Sequence, residues 1–251
     1  MPRKAAVKGW IVVDLRGRVA LVTGGSRGIG KAIASAVAGR GAAVAVNFHN
    51  RAEEAAAVVR EIRSAGGRAI AARADVSASA EVDAMMARVM SELGPIDVLV
   101  NNAGIAVGGA SEEDFDLGIA VNLKSAFLCI EAALPGMRAR RWGRIVNISS
   151  VAARGAGLVG VVYNASKAGL EGLTRAYAAR VAKDGVTVNA VAPGLIDTEM
   201  AAPLKAGGVE GRIPVGRMGR AEEVAEAAMM IIGNGFITGQ TIAVNGGVAF
   251  L

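Results

Sequence analysis

The sequence predicts a doubly wound α/β fold: one sheet of seven parallel strands with helices on both faces. Three observations carry this expectation. The length of 251 residues suits one large α/β domain and is short for two. Seven short apolar runs lack in/out alternation, as strands buried on both faces of a parallel sheet require. Longer alanine-rich segments of helical period separate them, so strand and helix alternate along the chain.

Taken in order, the run 18–23 passes through a glycine-rich turn into a helix over 28–39. Run 42–47 leads to a helix over 52–65, and run 68–73 to a helix over 80–93. Run 96–101 precedes a long helix over 112–138, and run 143–149 precedes another over 164–183. Run 186–191, a helix over 221–232 and a last run, 241–244, complete the pattern. No linker, tandem repeat or low-complexity tract interrupts it. Residues 14–251 are therefore expected to form a single domain behind a flexible N-terminal arm, 1–13.

Composition removes several function classes. With 53% hydrophobic and 20% charged residues, the chain builds a core instead of remaining disordered. Only 6 prolines and 4% aromatics accompany the 34 glycines, which excludes collagen-like, proline-rich and base-stacking proteins. Cys129 and His49 are the single cysteine and histidine, so neither a disulfide nor a thiolate–imidazole zinc site can form, and no metal is expected. No run of about 18 apolar residues suggests a membrane span. The apolar run 10–13 stops at Asp14, too short for a signal-peptide core. The expectation is a soluble, cytoplasmic protein of a reducing compartment, without membrane contact. Its net charge of +6 comes mostly from arginines interleaved with Glu and Asp, which argues against a nucleic-acid partner. One cluster, Arg138, Arg140, Arg141 and Arg144, reads as a helix C-terminus whose cations complement the dipole.

The turn after the first run is Thr23-Gly24-Gly25-Ser26-Arg27-Gly28-Ile29-Gly30. Its backbone N–H groups can approach a pyrophosphate at the positive end of the helix dipole. The spacing Gly24-x-x-x-Gly28-x-Gly30 is longer than the general G-x-G-x-x-G fingerprint, in the same place. Further along come Asp75, Asn101-Asn102-Ala103-Gly104, Asn122, Ser150, Tyr163-x-x-x-Lys167 and Pro193-Gly194. Ile237-Thr238-Gly239 and Val244-Asn245-Gly246-Gly247 close the series. In this order and spacing, over about residues 14–248, the chain resembles the short-chain dehydrogenase/reductases, and within them the 3-oxoacyl-carrier-protein reductases. Two segments depart from the family's pattern by being a few residues short: 200–213, where the substrate lid lies, and 233–236 before the last strand.

The resemblance implies a Rossmann-type domain binding NADP(H) and reducing a carbonyl, most of all a 3-oxoacyl thioester. It implies cofactor contacts from Gly24, Ser26, Arg27, Gly28, Ile29 and Gly30, from Asp75 and Val76 at the adenine, and from Asn102, Ala103 and Gly104. Tyr163, Lys167, Pro193, Gly194 and Thr198 would serve the nicotinamide half. It also implies a homotetramer pairing the helices 112–138 and 164–183 across subunits, and an acyl carrier protein as partner, docking on the arginine cluster and Lys183.

Carbonyl reduction needs a hydride donor beside the carbonyl carbon and an acid for the incipient alkoxide. Tyr163 and Lys167, four apart, share a helix face, and a nearby ammonium, together with the oxidised nicotinamide's charge, lowers a phenol's pKa from about 10 towards working pH. Tyr163 is thus the expected proton donor, with Ser150 holding the substrate oxygen. By resemblance, Lys167 holds the nicotinamide ribose and Asn122 binds a relay water. Neighbouring Ser149 competes for the serine role, but the thirteen-residue gap from Ser150 to Tyr163 matches the related reductases.

Cofactor choice is read at the end of the second strand. There an acidic residue would grip the adenine ribose and repel a 2′-phosphate. This chain has Val46-Asn47-Phe48-His49-Asn50-Arg51, with no carboxylate before Glu53 and Glu54. Arg27 and Arg51 are expected to converge on the 2′-phosphate through forked donors.

Two rival readings fall away. A Ser–His–acid hydrolase would need His49 beside Ser150, yet His49 ends the second strand. A non-catalytic dinucleotide sensor would not need Tyr163 and Lys167, and both are present. Cys129, Met85, Met86 and Met90 read as core filler.

Overall fold

In a computed structural model, residues 13–155, 158–203 and 208–250 are described. The strands are β1 (Val19–Val22), β2 (Ala43–Phe48), β3 (Ala69–Arg73), β4 (Val98–Asn101), β5 (Gly143–Ile148), β6 (Val186–Pro193) and β7 (Thr241–Val244). All pair in parallel, in the order β3-β2-β1-β4-β5-β6-β7. The winding direction reverses between β1 and β4, which opens a crevice at the carboxyl ends of those strands.

The helices are α1 (Gly28–Ala38), α2 (Ala52–Ser64), α3 (Ser79–Glu92), α4 (Glu112–Ile119), α5 (Ser125–Ala139), α6 (Val161–Val181) and α7 (Ala221–Gly233). Alternate strand residues face opposite layers. Val22, Val44, Val46, Val100 and Val146 pack beneath Ile33 and Val37 of α1, Val58 and Ile62 of α2, and Ile231 of α7. Leu21, Ile70, Leu99, Ile145 and Val188 pack beneath Met85 and Val89 of α3, Ile130 and Met137 of α5, and Val181 of α6. Cys129 lies in this second core, where burial pushes its thiol up to about 12, and Met85 and Met86 join it. Met90, expected with them, is exposed instead.

Three sequence expectations change. The helix expected over 112–138 is interrupted by a π-helical segment, Ala120–Lys124, where the side chain of Asn122 bonds the backbone of Ile105. By length and composition the stretch Glu112–Ala139 is apolar enough to cross a membrane, yet α5 buries Ala126, Cys129, Ile130, Ala133, Leu134 and Met137 in the fold. β7 is a half-exposed edge strand, paired among the described residues only with β6. The helix expected from 164 begins at Val161, which places Tyr163 in its first turn.

The arginine cluster is not a free surface. It lies at the amino end of β5, the end of the sheet opposite Ser150. Arg138 pairs with Asp184 at 2.8 Å, and Arg140 donates to Asp97 at 3.3 Å and to the Ile96 carbonyl at 2.7 Å. Arg141 donates to the Lys183 carbonyl. Arg144 reaches the carbonyls of Ile232, Gly143 and Gly185 and, with Arg18, covers the Trp142 ring. Six residues of strand, about 20 Å, separate this end from the crevice. Of the expected N-terminal arm, only Val13 lies within the described residues, packed against the core around Gly233.

Candidate active site

The crevice begins at the turn after β1. Gly24 and Gly28 have φ of 59° and 52°, a region that glycine enters without strain. A Cβ on Gly30 would run into the Gly24 carbonyl oxygen and lie 2.5 Å from Asn102 Nδ2. Thr23 Oγ1 accepts from the N–H groups of Asn102 and Ala103 at 2.9 and 3.0 Å, and Asn102 Nδ2 donates to the carbonyls of Thr23 and Gly24. The loop after β4 is thereby tied to the turn. No side chain caps α1, so its first N–H groups face the crevice, where an anion can take them. This cradle fits a dinucleotide pyrophosphate.

Asn47 holds the other side of the turn, a role not read from the sequence. Its Oδ1 accepts from Gly24 N at 3.2 Å and its Nδ2 donates to the carbonyls of Ala72 and Ala74. An asparagine closing an otherwise apolar strand was the available signal. Asp75, after β3, accepts from Ser77 N and Oγ at 2.9 and 2.7 Å, and Val76 beside it is buried. Both follow the carboxyl end of β3, beside β2, where the adenine is expected.

The opposite side of the crevice is a cavity of about 490 Å³. Ser150, Tyr163 and Lys167 line it together with Ile29, Asn102 and Gly104 from the turn side. Pro193, Gly194 and Thr198 reach it from the end of β6. Towards solvent its wall is apolar, with Leu158, Val159, Met200 and Val209, and Arg212 lines it as well. The structure therefore brings together Ser150, Tyr163, Lys167 and the nicotinamide-side residues. His49 is exposed at the end of β2, with two strands between its own and that of Ser150.

Tyr163 and Ser150 line the cavity together, and the Ser150 side chain is near enough to favour the phenolate. Ser149, the competing serine, points away: its Oγ donates to Glu171 Oε1 at 3.3 Å and to the Lys167 carbonyl at 3.4 Å. Glu171 is 3% exposed and takes Arg154 at 2.7 Å. The sequence reading missed it, although 163, 167 and 171 follow one another at a spacing of four on one helix face. Asn147 and Thr174 form a second unforeseen link, Asn101 to Asn147 to Thr174, both bonds 2.8 Å, which locks β4, β5 and α6 below the site.

Lys167 is 4% exposed; its Nζ donates to the Ile148 carbonyl at 2.8 Å and lies 5.7 Å from the centre of the Tyr163 ring. Asn122 Oδ1 accepts from Ile105 N, and its Nδ2 donates to the Ile105 carbonyl and to Ser166 Oγ, which leaves one acceptor site on Oδ1. A Cβ on Gly104 would lie 3.1 Å from Asn122 Oδ1 and 3.5 Å from Lys167 Nζ, so a side chain there would press on Asn122 and touch Lys167.

The electrostatic expectation concerns the cofactor-bound protein, where the nicotinamide's charge adds to that of the ammonium. In the protein alone the Tyr163 phenol is pushed up, because burial outweighs the Ser150 hydrogen bond. Burial also brings Lys167 down, to about 8. A folded-state value below the ordinary 10.5 means the unfolded chain binds more protons between those two limits. Lys167 should then make the cofactor-free protein gain stability as pH rises from about 8 to 10.5. The slope is at most about 1.4 kcal/mol per pH unit. Denaturant titrations of wild type and Lys167→Met across this range should differ by that slope; parallel curves would show Lys167 is not destabilised by burial.

Arg27 and Arg51 do approach one another, but on a carboxylate the sequence reading did not anticipate. Arg27 Nη1 contacts Glu199 Oε2, and Arg51 Nη2 lies 3.8 Å from the same oxygen. Arg51 Nη1 also pairs with Glu54 at 2.9 Å. Among the described residues no three His, Cys, Asp or Glu side chains gather as metal ligands do.

Comparison with known proteins agrees with this geometry. The short chain dehydrogenase family matches residues 18–207. A 3-oxoacyl-[acyl-carrier-protein] reductase of Synechocystis sp. is 44% identical over 93% of this chain and 98% of its own length. A (2S)-[(R)-hydroxy(phenyl)methyl]succinyl-CoA dehydrogenase subunit of Thauera aromatica is 41% identical over 94% and 98%. Among solved structures, a blue fluorescent protein from a metagenomic library, in complex with NADPH, superposes with a TM-score of 0.88 at 38% identity, covering 94% of this chain and all of that one.

Proposed function

The chain belongs to the short-chain dehydrogenase family, and on that premise we propose that it transfers hydride between NADP(H) and a carbonyl, reducing a 3-oxoacyl thioester to the 3-hydroxyacyl form. The observation that supports this reading best is the Ser150–Tyr163–Lys167 group on one wall of a cavity whose facing wall is the uncapped glycine turn.

When bound, the dinucleotide supplies the hydride that turns the carbonyl carbon into an alcohol carbon. Ser150 Oγ donates to the substrate oxygen and holds it against Tyr163. Tyr163 Oη releases its proton to that oxygen as charge develops there; in the reverse direction its phenolate accepts the alcohol proton. Since burial raises the phenol, its acidification falls to the Lys167 ammonium, which in this role binds the nicotinamide ribose hydroxyls and faces the ring of Tyr163. Asn122, across Gly104 from Lys167, holds the water that returns the proton from solvent. Gly24, Ser26, Gly28, Ile29 and Gly30 hold the pyrophosphate, Asp75 and Val76 the adenine, Asn102, Ala103 and Gly104 the middle of the dinucleotide. Pro193, Gly194 and Thr198 hold the carboxamide end.

The substrate is delivered on an acyl carrier protein. The arginine cluster is at the wrong end of β5 for this, so the carrier approaches the cavity mouth, whose lining includes Arg212. A panel of carbonyl substrates followed by nicotinamide absorbance is the test. Carrier-linked 3-oxoacyl substrate should be turned over faster than its simple thioester, with a gap that closes in high salt. Equal, salt-insensitive rates would favour small ketones, alcohols or sugars as substrates.

The assembly is a homotetramer pairing α4, α5 and α6 between subunits. Phe115, Leu117 and Phe127 on α4 and α5, with Val161 at the start of α6, expose large apolar side chains that such pairing would cover. Light scattering at micromolar concentration should give about four times the 25.3 kDa of one chain. A mass near one chain would refute the assembly.

A further inference from the structure

We propose that Glu199 sets cofactor selectivity by competing with the 2′-phosphate for Arg27 and Arg51, an inference that rests on the NADP(H) reading above. Three separate parts of the chain meet at its carboxylate: Arg27 from the turn after β1, Arg51 from the start of α2, and Glu199 from the segment after β6. Thr198, one residue earlier, lies over the turn, its Cγ2 3.3 Å from where a Cβ on Gly28 would stand. Glu199 is thereby held beside the adenine half of the crevice, and its partners are the two forked cations expected to receive a phosphate.

The charge balance makes the competition unavoidable. Arg27 and Arg51 face Glu199 and Glu54, two cations against two carboxylates. Glu54 is bound to Arg51 from the next turn of its own helix and remains with it. A dianionic phosphate entering between the guanidinium groups therefore meets like charge from Glu199, which must leave. A ribose carrying two free hydroxyls has no such need, so Glu199 lowers affinity for the phosphorylated nucleotide and leaves the other untouched. The carboxylate also begins the short helical turn Glu199–Ala201, whose Met200 and Ala201 line the cavity.

Glu199 is well exposed, so replacing it leaves the core alone. Binding of 2′,5′-ADP and 5′-AMP, followed by calorimetry in wild type, Glu199→Gln and Glu199→Lys, isolates the phosphate from the hydride chemistry. Glu199→Gln should tighten 2′,5′-ADP about three- to tenfold, the range expected when one competing exposed carboxylate is lost, and Glu199→Lys should tighten it further. Affinity for 5′-AMP should stay unchanged in both. Unchanged or weakened 2′,5′-ADP binding in Glu199→Gln, or equal tightening of both nucleotides, would overturn the proposal. NADPH and NADH titrations of the wild type separate the two readings: equal affinity there removes the NADP(H) preference, whereas the Glu199 variants judge the competition itself.

Discussion

Tyr163→Phe is expected to lower turnover at least about a hundredfold. The substitution keeps the ring that lines the cavity and the face that Lys167 overlooks at 5.7 Å, and removes only the hydroxyl with its transferable proton. Cofactor affinity should change little, since the turn, with its Thr23–Asn102 bonds, is untouched. Single-turnover kinetics with a dissociation constant measured on the same samples make the check. Near-wild-type turnover would remove Tyr163 from its role, and a parallel loss of nucleotide binding would point to misfolding of the α6 start.

The second large effect concerns the arginine pair. In a variant carrying Arg27→Ala with Arg51→Asp, catalytic efficiency with NADPH should fall by about a hundredfold, because two charge-assisted contacts disappear and a carboxylate takes the place of one of them. Efficiency with NADH should hold or rise, since an acid at the end of β2 is what grips two ribose hydroxyls. The lost pairs to Glu199 and Glu54 are exposed, and such pairs contribute little to folding. A wild type that prefers NADH would overturn the assignment outright.

Much of this protein was legible from local pattern alone. Apolar runs without alternation specify strands buried on both faces; β1, β2, β4 and β6 are buried throughout, β5 at all but one residue and β3 at three of five. β7 escaped the rule because the cover on its faces comes from distant segments, and a four-residue apolar run reads the same with or without that cover. The π segment escaped because it exists to let Asn122 reach Ile105, a contact between residues seventeen apart. The basic cluster deceived for a related reason. Four arginines within seven residues look like a patch, yet their partners, Asp97, Asp184 and the carbonyls of Ile96, Lys183 and Ile232, come from elsewhere in the chain.

The sequence by itself determined the strand–helix alternation, the glycine turn and the residue types of the site, because these follow from periodicity, φ requirements and spacing along one element. Only packing could show that Ser149 turns to Glu171, that Lys167 is buried on the helix face it shares with Glu171, and that Glu199 comes to rest on Arg27 across 172 residues. Each of these turns on burial or on charge brought together by the packing of distant segments. Burial and through-space charge are properties of the folded surface, and no window of sequence contains them.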